Sequence, residues 1–249
     1  MPTGSESVGM AVANRSARLS EIVPAVRAIS NRVMQSVSES LAAAGTPVSC
    51  RKRCPACCRY LVPLSAPEAF RISEEVTAMP LRHRGRIVER YVRAAQTVLR
   101  AGPPRLADSL HPQVGFDDTL SRVSRWYAGL ELECPFLVRR ICAIYAARPL
   151  ACREHVVTHD PALCADPQHA PAEGQVSPPV SLTCALSRLA AEVENTEPEA
   201  IMLPLAMMWA QDHRQRAERT YPAVELFERL VDILRRQAGS ADERLAQTA

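Results

Sequence analysis

A mainly α fold built around an irregular, cysteine-rich core is predicted by three features of this sequence. Nine glycines stand against 20 prolines and aromatic residues make up only 4%. With abundant Ala, Leu and Arg, that composition suits helices joined by proline-marked loops better than a β-sandwich. Apolar residues recur at steps of three and four in several windows. Between those windows, residues 50 to 58 and 134 to 152 concentrate cysteine, the second without any sustained period. A chain of 249 residues with 47% apolar content can bury a packed core.

Leu19, Ile22, Val23, Val26, Ile29, Val33, Val37 and Leu41 predict an amphipathic helix over residues 20 to 43. It ends near Gly45, and Pro24 sits in its first turn or kinks it. Ser65, Pro67 and Glu68 make a capping-box start for a second helix, 66 to 78, with Phe70 and Val76 on its apolar face. Ile87, Val88, Tyr91, Val92, Ala95, Val98 and Leu99 give a third over 82 to 101, stopped by Gly102 and two prolines. Asp117 and Asp118 ahead of Leu120, Val123, Tyr127 and Leu130 predict a fourth, with acids in its first turn. That helix delivers the chain to residues 134 to 152, read as short extended pieces and turns draped around a site.

Residues 160 to 179 hold five prolines with His, Asp and Gly, a loop or linker composition. Segments 181 to 194, 203 to 218 and 222 to 238 read as helices, the last opening at Pro222 and closing at Gly239. Met207, Met208 and Trp209 are read as buried packing residues. Four regions follow: an N-terminal amphipathic helix (1–47), a cysteine-cluster domain (48–159), a Pro-rich linker or loop (160–180) and a C-terminal helical region (181–249).

The formal charge is +3 and the one lysine is Lys52, so there is no strong nucleic-acid signal. Residues 1 to 20 carry Glu6, Arg15 and Arg18 without an apolar run, unlike a secretory signal. The apolar stretch from Ala200 to Ala210 is broken by Pro204 and falls far short of the roughly 20 residues that span a bilayer. A cytoplasmic protein with no membrane partner is therefore expected. Cytosolic thiols are kept reduced, so its nine cysteines point to metal ligation or redox chemistry rather than disulfides. The odd count agrees, and adjacent Cys57 and Cys58 can bridge each other only with strain.

Cys50, Cys54, Cys57 and Cys58 lie within nine residues. Their offsets would put every sulfur on one side of a helix. In the simplest arrangement Cys54 is the N-cap, Pro55 the first helical residue, and Cys57 and Cys58 the first turn. Helix N–H groups and the basic neighbours Arg51, Lys52, Arg53 and Arg59 would then favour thiolates, the metal-binding form. A solvated charged face is the bland reading of any one of those arginines. One ion rarely takes both members of a Cys-Cys pair, which implies a second metal, a bridging thiolate or one non-ligand cysteine. Cys134, Cys142 and Cys152 can complete such a site, each at about 2.3 Å if the metal is zinc, and the same ligands suit iron–sulfur clusters. The two cysteine segments are therefore expected to meet in space.

The run Cys50 to Cys58, then Cys134-Pro-Phe-Leu137, then Cys142-Ala-Ile-Tyr145-Ala-Ala-Arg148-Pro149-Leu-Ala-Cys152-Arg153 resembles the YkgJ-type cysteine-cluster family of zinc- or iron-chelating proteins. The likeness spans roughly residues 48 to 155. It implies Cys50, Cys54, Cys57, Cys58, Cys134, Cys142 and Cys152 as ligands, with Tyr145, Arg148, Pro149 and Arg153 as the surrounding signature. Pro55 replaces a common glycine, and the spacer from Cys58 to Cys134 is long. Relatives often carry a further cysteine downstream. Cys164, beside His155 and His159, is chosen for that place, whereas Cys184 reads as a core residue. The two histidines fit packing roles as well as a pair of ligands at i and i+4 of a helix. Arg148 and Arg153 are expected behind the ligands, donating to cluster sulfurs or pairing with Glu154.

Three functions stand at this stage. A zinc or iron centre, with an iron–sulfur cluster as one form, serves as a structural element or metal reserve. The cysteine pattern also resembles that of flagellin lysine methylases, which implies an iron–sulfur enzyme, although no nucleotide-binding glycine motif accompanies it. Alternatively the C-terminal helices bind a protein partner and the metal holds the rest together, a role that calls for an exposed apolar stripe on residues 222 to 238.

Overall fold

The computed structural model describes residues 14–102, 116–169 and 171–247. Residues 1–13 of the stretch read for a leader, and the two prolines after Gly102, lie outside that range. Strand β1 (Ser16–Arg18) leads into helix α1 (Leu19–Ala43), which buries Leu19, Ile22, Val23, Val26 and Met34. Pro24 stands in the second turn of α1, not its first, because the helix already begins at Leu19. The chain leaves α1 through Gly45, at φ 79°.

Strand β2 (Pro63–Leu64) precedes α2 (Ala66–Thr77), which begins at the expected capping box and buries Phe70, Ile72 and Val76. Helix α3 (Leu81–Ala101) buries Ile87, Tyr91, Ala94 and Val98. Of the other apolar positions foreseen there, Val88 and Ala95 are half-buried and Val92 and Leu99 exposed, so the period is right and the buried face narrower. Helix α4 (Phe116–Ala128) then leads to a hairpin of β3 (Leu137–Val138) and β4 (Ile141–Cys142). In that hairpin Leu137 faces Cys142 and Val138 faces Ile141. A single 3-10 turn, Tyr145–Ala147, and short helix α5 (Leu150–Glu154) complete the second cysteine segment. The expected short pieces are present, and α5 is an addition to them.

Strand β5 (Val156–Val157) pairs antiparallel with β6 (Gln175–Val176), which folds the proline-rich stretch back onto the cysteine segment. Beyond it come α6 (Leu182–Glu194), β7 (Ile201–Met202), α7 (Ala206–Asp212), α8 (Arg214–Ala217), β8 (Thr220–Pro222) and α9 (Ala223–Gln247). Two expectations fail here. The segment 203 to 218 is interrupted at His213, whose backbone leaves the helical region (φ −107°, ψ 24°). Helix α9 continues through Gly239, since one glycine inside a helix costs only about 1 kcal/mol and nothing else stops the run.

Pairing of β1 with β8 and of β2 with β7 ties distant parts of the chain together. One apolar core runs from Val23, Phe70 and Ile72 through Phe136 and Leu150 to Leu186, Leu189, Leu226 and Ile233. The stripe on residues 222 to 238 is part of it: Leu226, Leu230 and Ile233 are buried, leaving only Val224 and Val231 exposed. Trp209 is partly buried, packing its ring 5.1 Å from Phe70 and stacking on His213 at 4.2 Å, but Met208 is 43% exposed, contrary to expectation. Two of three positions on one turn of α7 cannot both face α2. Among the described residues no helix is long and apolar enough to cross a membrane.

Candidate metal centre

The first cysteine run is not helical. Arg53 takes a left-handed φ of 72°, and Cys54 N–H donates to the Arg51 carbonyl at 3.1 Å, closing a tight turn between Cys50 and Cys54. Cys58 N–H to Pro55 O (3.0 Å) and Tyr60 N–H to Cys57 O (3.1 Å) make further turns. The helix N-terminus that was to stabilise thiolates is therefore absent. Pro55 starts a turn in place of a helix, because three-residue closures satisfy the backbone before a helical ladder can form.

Each remaining cysteine is held by an identifiable contact. Cys134 N–H donates to the Cys58 carbonyl at 2.7 Å, joining the two segments directly. Arg90 of α3 reaches the Pro135 carbonyl at 3.0 Å and fixes the Cys134 turn from outside. Cys142 is set by the β3–β4 hairpin, and Cys152 lies in α5. On the other side, Val157 N–H points at Cys50 Sγ (3.4 Å), while Ser49 bonds to the Val157 and Thr158 carbonyls at 2.8 and 2.7 Å. Cys164 is buried on a 3-10 turn, Pro161–Ala165, whose Asp160 carboxylate accepts from Ala162 N–H at 2.9 Å. All nine cysteines are free thiols.

Helix α5 is pinned from two sides. Glu68 is fully buried and accepts from Leu150 N–H at 2.8 Å with one oxygen, and from Ser65 N–H and hydroxyl at 3.3 and 3.1 Å with the other. The capping residue of α2 thus also caps α5, a link sequence spacing does not reveal. Arg153 donates to Arg148 O, Ala146 O and Asn31 Oδ1, tying α5 to α1. Its guanidinium is engaged there, and neither a sulfur nor Glu154 is its partner. Glu154 instead accepts from Ser181 and Thr183 at the start of α6. Arg148 lies 4.6 Å from the Tyr145 ring and leaves its Nε buried without a partner.

Burial and mutual repulsion push Cys57 up to about 12, and burial with the charges of Cys134 and Cys142 does the same to Cys58. Cys134 also rises to about 12 through burial, and Cys50, Cys142, Cys152 and Cys164 move in the same direction. Opposing charge comes from Arg148, on Cys50 and Cys142, and from Arg90, on Cys134. The expected compensation by residues 51 to 53 and 59 is not what acts: Arg59 pairs with Glu133 at 3.6 Å and Lys52 lies 5.8 Å from the Tyr145 ring. Burial therefore favours the neutral thiol at these seven cysteines when no metal is bound, and a soft cation is what their donor set calls for.

A cavity of about 270 Å³ opens onto Cys50, Cys54, Cys57 and Cys152, with Tyr145, Arg148 and His155 in its wall. His155 does not follow on from α5 as a helical residue, so the i, i+4 grip with His159 is not formed. Its ring lies 5.0 Å from Tyr60, and its Nε2 is buried with no partner, as is that of His159. Burial lowers the His155 pKa and keeps the ring neutral. An orphaned nitrogen beside a bank of thiols fits a soft or borderline cation. Among the described residues, no group of three or more His, Cys, Asp or Glu side chains is placed so that it could hold a metal ion. Cys184 lies outside the group: Ser181 caps α6 by accepting from Cys184 N–H at 3.2 Å, and the thiol is exposed, not in the core. Tyr60, Glu68, Arg90 and Asn31 are the site-shaping residues that spacing alone leaves unassigned.

Residues 49–171 match the model of a family described as "CxxCxxCC: Putative zinc- or iron-chelating domain". No curated protein and no solved structure matches the chain.

Proposed function

Because residues 49–171 match the model of the CxxCxxCC family of zinc- or iron-chelating domains, we propose that the chain is a cytoplasmic metal-binding protein whose ligands are Cys50, Cys54, Cys57, Cys58, Cys134, Cys142, Cys152 and Cys164. The observation that carries this reading is a single cavity that gathers Cys50, Cys54, Cys57 and Cys152, from two separate stretches of sequence, beside the buried, unpartnered Nε2 of His155. Neutral thiols with raised pKa values give up protons when a cation arrives, and ligation then becomes folding energy for turns that have little other regular structure. Arg148 lends positive charge to the sulfurs, and Arg153 holds the loop that presents Cys152.

The metal is zinc or iron, the latter as single ions or as an iron–sulfur cluster. Anaerobic purification of the full chain, with elemental analysis and a visible spectrum, separates these: bound zinc is colourless, whereas iron thiolates and iron–sulfur clusters are coloured. A chain that comes out metal-free and takes up neither metal under reducing conditions would end the proposal. The cavity beside Cys50, Cys54 and Cys57 favours one further reading, an iron–sulfur enzyme in which a small substrate approaches the centre. It requires a coloured centre whose spectrum changes on substrate addition.

A further inference from the structure

We propose that the surface between the start of α3 and the β3–β4 hairpin docks a partner protein through an acidic segment that carries an apolar side chain. This surface is independent of what the cysteines bind.

A cavity of about 360 Å³ lies there. Its wall is mostly apolar, from Met79, Ile87, Val138 and Ile141, joined by His83 and Arg86. Ile141 is 48% exposed, and His83 and Arg86 are exposed as well. Arg82 stands one turn before Arg86 on α3, and Arg139 and Arg140 make the turn of the hairpin, directly between Val138 and Ile141. Arginine therefore stands on both sides of one apolar hollow. No acid in these two segments answers that charge, since residues 79–88 and 137–143 contain neither Asp nor Glu. Glu89, the next acid along α3, is paired with Arg93 at 3.3 Å. Among the described residues, Arg82, Arg86, Arg139 and Arg140 have no ion pair.

Two features of this surface are unfavourable in the chain by itself. Helix α3 opens with Arg82 and His83 in its first turn, without an acid or a side-chain cap, so cations sit at the positive end of the helix dipole. The hairpin turns through Arg139 and Arg140 at φ 49° and 62°, a conformation that Asn-Gly adopts without strain. Arginine at both positions brings charge to the rim while straining the turn, and incoming carboxylates would relieve the repulsion at the helix start. Nucleic acids are held through a run of phosphate contacts, single strands also by aromatic rings under the bases. This hollow is apolar on most of its wall and has no aromatic ring in it. Arginines around an apolar socket instead suit a peptide whose carboxylates flank a Leu- or Phe-like side chain.

Fluorescence anisotropy on the purified full chain tests this with three labelled probes: a peptide of interspersed Asp, Glu, Leu and Phe, the same peptide with Ser in place of Leu and Phe, and a DNA oligonucleotide of equal charge. The first should bind about tenfold more tightly than either of the others, because only it fills the apolar hollow. Arg139→Asn with Arg140→Gly removes two charges and relaxes the turn, so loss of binding in that variant cannot come from misfolding. It should bind the first peptide about tenfold more weakly, while melting no lower than wild type and keeping the same metal content. No binding of the first peptide, equal binding of the two peptides, or a double variant that binds as well as wild type overturns the proposal. Tighter binding of the oligonucleotide overturns it in favour of a phosphate-bearing partner.

Discussion

Glu68 shows how one side chain joins sequence-local and long-range order. The spacing Ser65 to Glu68 signals a helix start, and that start is present, but the same carboxyl also accepts from Leu150, far along the chain. Glu68→Ala strips acceptors from two buried amides and should cost on the order of 3 kcal/mol, read as a lower urea midpoint. Glu68→Gln, which keeps one carbonyl acceptor, should lose less. Thiol chemistry gives a second expectation at this scale. Folded, metal-free Cys57, Cys58 and Cys134 hold their protons up to about 12, whereas the unfolded chain releases them near the ordinary 9.0. The folded state then binds more protons than the unfolded one across that window, so stability is full below about pH 9 and falls as pH rises toward 12. Thermal melts of the stripped protein from pH 8 to 11 should show Tm dropping. A rising Tm would mean the thiols are not buried as described. Cys184 and Met208 were misread because apolar character near a helix start or end does not say which face is inward, and capping by Ser181 decides it for the former.

Elements carry strain that residue types alone would not have foretold. The β3–β4 hairpin turns through Arg139 and Arg140, both at positive φ (49° and 62°), the geometry of a two-residue loop that prefers Asn-Gly. Arg139→Asn with Arg140→Gly should stabilise the protein by about 1 kcal/mol without changing metal content, and calorimetry of the loaded chain checks both. Gly174 is the opposite case. At φ 79° an added Cβ would sit 3.0 Å from Thr158 Oγ1 and 3.2 Å from the His159 ring. Gly174→Ala should therefore loosen the β5–β6 pair and lower Tm by several degrees, with faster metal loss because β5 also supports Cys50. Long periodic helices were legible in sequence at the level of existence. The turns around the cysteines were not, since three-residue closures leave no period to read, and a helical reading of residues 50 to 58 followed from offsets that tight turns satisfy equally.

At the scale of the whole molecule, helices α1, α2 and α3 and the C-terminal layer form a frame whose apolar core ends against Cys134, Cys142 and Cys152. The cysteine segments stood out in the sequence, because four thiols in nine residues have no common packing role. Their meeting was legible as a requirement of the Cys-Cys pair, and the Cys134 to Cys58 bond joins the two segments. What sequence left out was the frame: Arg153 with Asn31, Arg90 with Pro135, and Glu68 with Leu150 are contacts across sequence distances that no local pattern records. The most direct test of metal chelation by this cluster is metal bound per chain, measured on anaerobically purified wild type, Cys57→Ser and Cys184→Ser. Wild type and Cys184→Ser should carry equal zinc or iron, and Cys57→Ser should lose most of it. Equal metal in all three, or equal loss in both variants, would contradict the assignment of the inner cysteines as ligands.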